Sequence, residues 1–445
     1  MLTFTLSSAM ILSCLAALSN HASAEGGPPR ALSCSLKQAI QIALGPDGNR
    51  QLQLAQQSLR LAQSHSNESR SALFPDISAA VSGQRQLQSL ETMGVSIPGL
   101  TIPRTAGPYN TVDARMTATS TLDLSSIQRW RAMRKGIKIA QGELSRMQDQ
   151  VAAAVAKAYW TLLRAQALVQ SAQESVKLGE ALLEFADHRA AVGKGMMLDV
   201  TRARLRLVNE RGRLLANEIQ QSRARFKLLQ AMGLSLDAPV ELTDPLTFTP
   251  AQEMPLQEAL ATTFESRGDL QAQQDRVQSR RLLSASINSE RLPSLLAFAH
   301  YGPQGLGFNR TVNTYAEGVA LRLSLFDGAR VASRLAASRA QLKEEETLSS
   351  DLRAQAELEI RESLESMRLA KKQVDIAQEG LSLAQEELAQ AQRRYVAGIT
   401  NNLEVIEAQT HLAHAQEKQT EALFAHQQAR IDLGLAMGTI RTLLQ

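Results

Sequence analysis

Aromatic side chains are scarce in this 445-residue chain: 2 Trp, 5 Tyr and 10 Phe make up only 4% of it. Glycine (25) and proline (13) are also few, below the usual ~7% and ~5%. At roughly 150 residues per domain the length alone would imply about three domains. Three compact domains need aromatic cores and many turns, and the chain is poor in both. Two cysteines exclude a disulfide framework and a Cys-based zinc site. The 48 basic and 44 acidic residues are interleaved and leave a net charge of +4. That balance leaves no footprint for a nucleic-acid partner. There is no Walker A loop, no His-Glu-x-x-His and no Gly-x-Ser-x-Gly, so neither an enzyme nor a cofactor is expected. What remains in excess is Ala, Leu, Gln, Arg and Glu, the composition of long helices.

The first 24 residues contain no Asp, Glu, Lys or Arg. They carry an apolar stretch from Met10 to Leu18 and end Ala22-Ser23-Ala24. This is a secretory signal pattern with cleavage after Ala24, although a positive n-region is missing. Lipid attachment at Cys14 is the other processing route. Cleavage at Ala24 leaves one cysteine, Cys34, expected to be an inert residue. No later run approaches the ~20 apolar residues of a membrane helix.

The rest of the chain is an internal duplication. Leu36-Lys37-Gln38-Ala39-Ile40 recurs as Leu256-Gln257-Glu258-Ala259-Leu260, and Leu73-Phe74-Pro75 as Arg291-Leu292-Pro293. Val192-Gly193, Leu198-Asp199-Val200 and Ala231-Met232-Gly233 all recur 205 residues later, as Ala397-Gly398, Leu403-Glu404-Val405 and Ala436-Met437-Gly438. The expected organisation is a signal peptide over 1–24, a first repeat over 25–236, a linker over 237–254 and a second repeat over 255–445. Pro239, Pro245, Pro250 and Pro255 mark the linker.

Each repeat reads as helix, strand pair, very long helix, turn, helix. The helices are expected at about Ser35–Ser71, Ile127–Arg189 and Leu198–Ala231, then at about Pro255–Arg291, Ala329–Tyr395 and Leu403–Leu435. At 1.5 Å per residue the long ones span roughly 90–100 Å and the short ones roughly 50 Å. Two short helices end to end therefore match one long one, and the spacing predicts a rod. Ala165, Ala172, Gly179 and Ala186 repeat every seven residues, as do Ala370, Ala377, Ala384 and Ala391. Such a period specifies coiled-coil packing, with small residues allowing close approach.

Four strand segments lie between the helices. Val112, Ala114, Met116 and Ala118 alternate with Asp113, Arg115, Thr117 and Thr119. Ile77, Ala79 and Val81 alternate with Ser78, Ser82 and Gln84, and Val319, Leu321, Leu323 and Leu325 with Gly318, Ala320, Arg322 and Ser324. The stretch Leu295–Tyr301 is apolar on both faces. Alternation of this kind marks membrane β-barrels, but a half-buried soluble sheet has the same period. Four strands cannot close a membrane barrel, whose smallest members have eight; three chains would supply twelve. The fold class expected is mainly α with a small β part.

In this order, the motifs resemble the TolC-type outer-membrane efflux proteins. The likeness runs from Ser35 to Gly438. It rests on the two repeat starts, on Leu73-Phe74-Pro75-Asp76 and Leu292-Pro293, on Leu325-Phe326-Asp327-Gly328, on the turn Arg394-Tyr395-Val396-Ala397-Gly398, and on the two Ala-Met-Gly ends. The resemblance implies a homotrimer with a twelve-stranded barrel in outer-membrane lipid and an α-helical barrel in the periplasm. It implies a passive exit duct of a tripartite efflux or type I secretion system. The implied partners are a periplasmic adaptor and an inner-membrane pump of RND or ABC type. It also implies an acidic ring at the periplasmic gate, matched by Asp199, Glu404 and Glu407, with Tyr395 supporting the gate. Where some members carry a latching Arg, this chain has Thr400. The turns at Gly193, Gly195 and Gly398 are the expected adaptor contacts. Glu404 and Glu407 lie three apart on one helix face, which suits a ring or equally a first-turn helix cap with Asn401 or Asn402. Glu407, His411 and His414 share a face that can hold a metal, although a solvated face has the same pattern. An exported coiled-coil scaffold or adaptor without a pore is the competing function.

Overall fold

The computed structural model describes residues 32–90, 92, 94, 99, 103–193, 196–248, 254–400 and 402–443. The targeting segment, Cys14, Gly195 and Asn401 lie outside the described residues.

The first repeat opens with strand β1 (Leu32–Cys34) and helices α1 (Leu36–Leu44) and α2 (Arg50–Ser71). Strands β2 (Asp76–Ser89) and β3 (Thr105–Leu122) follow, then the 68-residue helix α3 (Leu124–Ala191) and the 36-residue α4 (Met197–Met232). The linker region holds a strand the sequence analysis did not anticipate, β4 (Val240–Leu242), which pairs in parallel with β1. The second repeat runs α5 (Leu256–Ser266), α6 (Gly268–Ser289), β5 (Ser294–Gly305), β6 (Thr311–Arg322), α7 (Arg330–Val396), α8 (Asn402–Met437) and α9 (Ile440–Leu443).

The expected first helix of each repeat is broken in two. Gly45-Pro46-Asp47-Gly48 interrupts the first, because proline removes a donor and glycine caps the preceding turn. Asn49 restarts the helix by accepting from the Gln51 amide at 2.9 Å. The second breaks at Arg267, between α5 and α6. Arg267 is 6% exposed and bonds to Asp269 at 2.8 Å and Glu359 at 2.5 Å.

These breaks let the short helices meet end to end. Asn49 donates to the carbonyl of Ala231 in the last turn of α4 at 3.0 Å. In the second repeat, Arg267 reaches the carbonyl of Ala436 at the end of α8. Meanwhile α3 runs unbroken alongside α2, α4, α6 and α8, and α7 alongside α6 and α8. The seven-residue seams are where expected: Ala165, Ala172, Gly179 and Ala186 are buried, as are Ala370, Ala384 and Ala391, and Ala377 is half-buried. A Cβ on Gly179 would lie 3.7 Å from the Cα of Leu207, so α3 and α4 nearly touch there. Among the described residues no helix is long and apolar enough to cross a membrane.

The four strands form one antiparallel sheet in the order β2-β3-β5-β6. One face gathers Ile77, Val81, Met116, Tyr301, Val319 and Leu321, all exposed. The other carries Ser78, Ser82, Asp113, Arg115, Thr117 and His300. The first hairpin continues further than expected, to Ser89 and from Thr105, while β6 ends at Arg322, so Leu323 and Leu325 lie past it. The core instead sits among the helices, around Tyr159, Leu162, Leu228, Met232 and Ile431. Tyr159 anchors the linker: its hydroxyl lies 3.0 Å from the Cys34 carbonyl and 2.9 Å from the Asp244 carboxylate.

The two repeats are joined where α3 crosses α6. A Cβ on Gly142 would stand 2.5 Å from the Gly268 carbonyl oxygen. Gly142→Leu should therefore overpack this crossing and cost about 1–3 kcal/mol. Gly136, on the same helix with open space around it, provides the control. Gly136→Leu should leave the thermal unfolding midpoint, followed by circular dichroism, unchanged or raised, while Gly142→Leu lowers it.

Candidate functional site: the helical tips

The turns α3–α4 and α7–α8 lie at the same end of the rod, the end away from the sheet. Both are built alike. Gly193 and Gly398 adopt left-handed backbone, with φ of 72° and 75°, which closes the preceding helix with little strain. At the second turn the Ile399 amide bonds to the Arg394 carbonyl at 3.0 Å and the Gly398 amide to Tyr395 at 3.0 Å. These bonds satisfy carbonyls that the helix end leaves free.

A cluster of apolar side chains ties the two turns together. Leu182 and Ala186 of α3, Val200 and Ala203 of α4, Leu388 and Ala391 of α7, and Val405 and Ala408 of α8 pack into it. Tyr395 sits in this cluster at 6% exposure. Its ring meets Phe185 edge to face, with centroids 5.3 Å apart. The Arg189 guanidinium covers both rings, 5.1 Å from the centre of Tyr395 and 5.9 Å from Phe185. Burial pushes the Tyr395 phenol up; Arg189 opposes that shift and Asp199 adds to it. Sequence reasoning had singled out Tyr395 but missed Phe185 and Arg189, because the contact joins two repeats about 200 residues apart.

The acidic positions separate into different environments. Asp199 occupies the first turn of α4 and Glu404 the first turn of α8, where the helix dipole favours negative charge. Glu404 also pairs with Arg394 across the turn at 3.2 Å, a partner not foreseen. Glu407 is exposed one turn further along α8 and forms no ion pair within the described chain. Thr400 is half-buried beside Gly398. The candidate metal face does not assemble, since His411 turns to Glu387 of α7, at 3.0 Å from both oxygens. His414 lies 3.9 Å from Glu417. Around the turns Val192, Met196, Met197, Val396 and Ile399 are exposed.

The rod, the four-stranded sheet and the paired tips occur together in known proteins. The chain matches the outer membrane efflux protein family over residues 42–234 and 259–439. It belongs to that family. The probable efflux pump outer membrane protein TtgC of Pseudomonas putida is 24% identical over 418 residues, covering 91% of this chain and 83% of TtgC. The crystal structure of VceC, an outer membrane protein of Vibrio cholerae, superposes with a TM-score of 0.78 at 18% identity, covering 91% of this chain and 96% of that one. The open state of the MtrE outer membrane channel of Neisseria gonorrhoeae gives 0.76 at 17% identity, covering 94% of both. Membership makes this chain an outer-membrane efflux channel protein, with its helical rod in the periplasm.

The tip cluster should hold the turns in place. Tyr395→Ala removes a buried aromatic ring, a change worth about 3 kcal/mol in a packed core. Amide hydrogen exchange at residues 397–400 and 189–193 should accelerate, with exchange at Ala152–Ala156 unchanged. Equal protection in both proteins would show that the ring does not hold the tips.

Proposed function

We propose that three copies of this chain close a twelve-stranded outer-membrane β-barrel continuous with a periplasmic α-barrel. The assembly is the passive exit duct of a tripartite efflux or type I secretion system. It carries small molecules or polypeptides delivered by a periplasmic adaptor and an inner-membrane pump of RND or ABC type. The observation that carries this reading is the sheet, with one apolar exposed face and two edges that pair with no described strand. Open edges in lipid leave backbone donors and acceptors unsatisfied at several kcal/mol each, so the sheet requires copies of itself.

The helices make the same demand. Along α4 the positions Leu205, Val208, Gly212, Leu215 and Ile219 are spaced three and four apart and face outward. Leu369, Ile376 and Leu383 form a seven-residue stripe on the outside of α7. Both stripes are exposed among the described residues, and a seam of this spacing calls for another helix. The charges are complementary. Between 202 and 225, α4 carries seven arginines against Glu210 and Glu218, whereas α7 between 373 and 392 carries Asp375, Glu379, Glu386 and Glu387 and no basic residue.

Under threefold symmetry Asp199, Glu404 and Glu407 repeat as acidic rings at the periplasmic mouth, which favour cations. Tyr395 and Thr400 support that gate from behind. The exposed apolar turns around Gly193 and Gly398 form the adaptor-contacting end. Purified protein inserted in planar bilayers should conduct as a trimer, and a non-conducting monomer would sink the reading. Glu404→Gln combined with Glu407→Gln should raise the divalent-cation concentration needed for half-block of conductance. Unchanged block would remove these carboxylates from the gate.

A further inference from the structure

The apolar face of the sheet carries two charged side chains among its described strand residues, one on each open edge. In β2 that face runs Ile77, Ala79, Val81, Gly83, Arg85; in β6 it runs Leu321, Val319, Glu317, Tyr315. Arg85 and Glu317 are both exposed, and neither side chain has a hydrogen bond or ion pair among the described residues. A charge presented to hydrocarbon is costly, and a partner of opposite sign relieves that cost. Within one chain the two stand on opposite edges with β3 and β5 between them, so they cannot meet.

The strand register shows where they would meet. Through the ladders Glu317 is level with Ala299, Ala118 and Ile77. The helix-side ends of the strands are staggered. Asp76, where β2 begins, is level with Thr119, whereas Ser294 and Arg322 are level with each other one residue beyond Leu122. The ends thus descend by four residues from β2 to β6. Barrel closure continues such a stagger around the wall, placing β2 of the next copy about six residues lower. The step must be even, or the apolar face would turn inward. A step of about six sets Glu317 opposite the partner subunit's Gly83, with the partner subunit's Arg85 its diagonal neighbour; about eight sets the two charges directly opposite. Long side chains span either distance.

We propose that Glu317 and Arg85 of the partner subunit form an ion pair on the lipid-facing side of each seam between copies. Three such pairs fasten the barrel wall and fix the pairing register of its open edges. The inference rests on the trimeric barrel proposed above.

The test uses full-length protein extracted from outer membranes in detergent and heated in SDS. Arg85→Glu and Glu317→Arg should each lower the temperature at which the trimer dissociates, and the exchanged pair R85E/E317R should recover most of the loss. Single reversals without effect overturn the pair, and so does an exchange no better than the two losses added. An Arg85 that instead binds lipid phosphate would give a loss for R85E that E317R leaves unrepaired, which also overturns it. Should a reversal fail to assemble, the neutral variants R85Q and E317Q take its place. The double R85Q/E317Q should then dissociate no lower than the worse single, because no lone charge remains; additive losses overturn the pair. Light scattering on the unaltered protein separates the two claims. A monomer there rejects the trimeric reading, whereas a trimer whose exchange variant is not rescued rejects the ion pair alone.

Discussion

The whole subunit depends on how closely the α3 backbone can approach its neighbours. This helix touches α2, α4, α6 and α8, and so belongs to both repeats at once. A helix crowded on that many sides keeps such contacts only if its facing residues are small. Gly142 against Gly268, Gly179 against Leu207, and the buried alanines at 165, 172 and 186 meet that need. Close-packed backbone and short side chains therefore carry much of the contact along this helix, beside the buried Tyr159 and Trp160 of its core segment. That explains how a chain with so few aromatics sustains a helix of 68 residues.

Charged groups take over where the helices end. Arg267 is buried among Asp269, Glu359 and the Ala436 carbonyl, and Arg146 also pairs with Asp269. Close by, Arg441 bonds to buried Asp149 at 2.7 Å and to Gln148 and Ser145. Buried charges of this kind contribute little net stability but are costly to leave unpaired. They join α6, α7 and α8 at the level where the short helices meet.

Much of this architecture was legible in the chain. The seven-residue alanine spacing and the period-two strands are local patterns, and they led to the long helices and, apart from Leu323 and Leu325, to the strands. The broken first helices were harder to read. Gly45-Pro46 lies in a helical pattern on both sides, and the break shows clearly only once Asn49 is seen bonded to Ala231. Strand β4 was hidden because three residues are too few to show a period, and its pairing with β1 bridges about 200 residues. At the tips the acidic residues and Tyr395 stand beside recognisable glycines. Arg189, Phe185 and Arg394 had no such marker, as their roles arise from packing between repeats or across a turn.

The end-to-end joints of the short helices have a mechanical consequence. A continuous helix transmits torque along its length, whereas two helices that abut pass on compression but little twist. Rotation of α4 or α8 at the tip therefore ends at Asn49 or Arg267, while rotation of α3 or α7 travels unbroken toward the strands. Each chain thus couples its two ends most directly through its two unbroken helices.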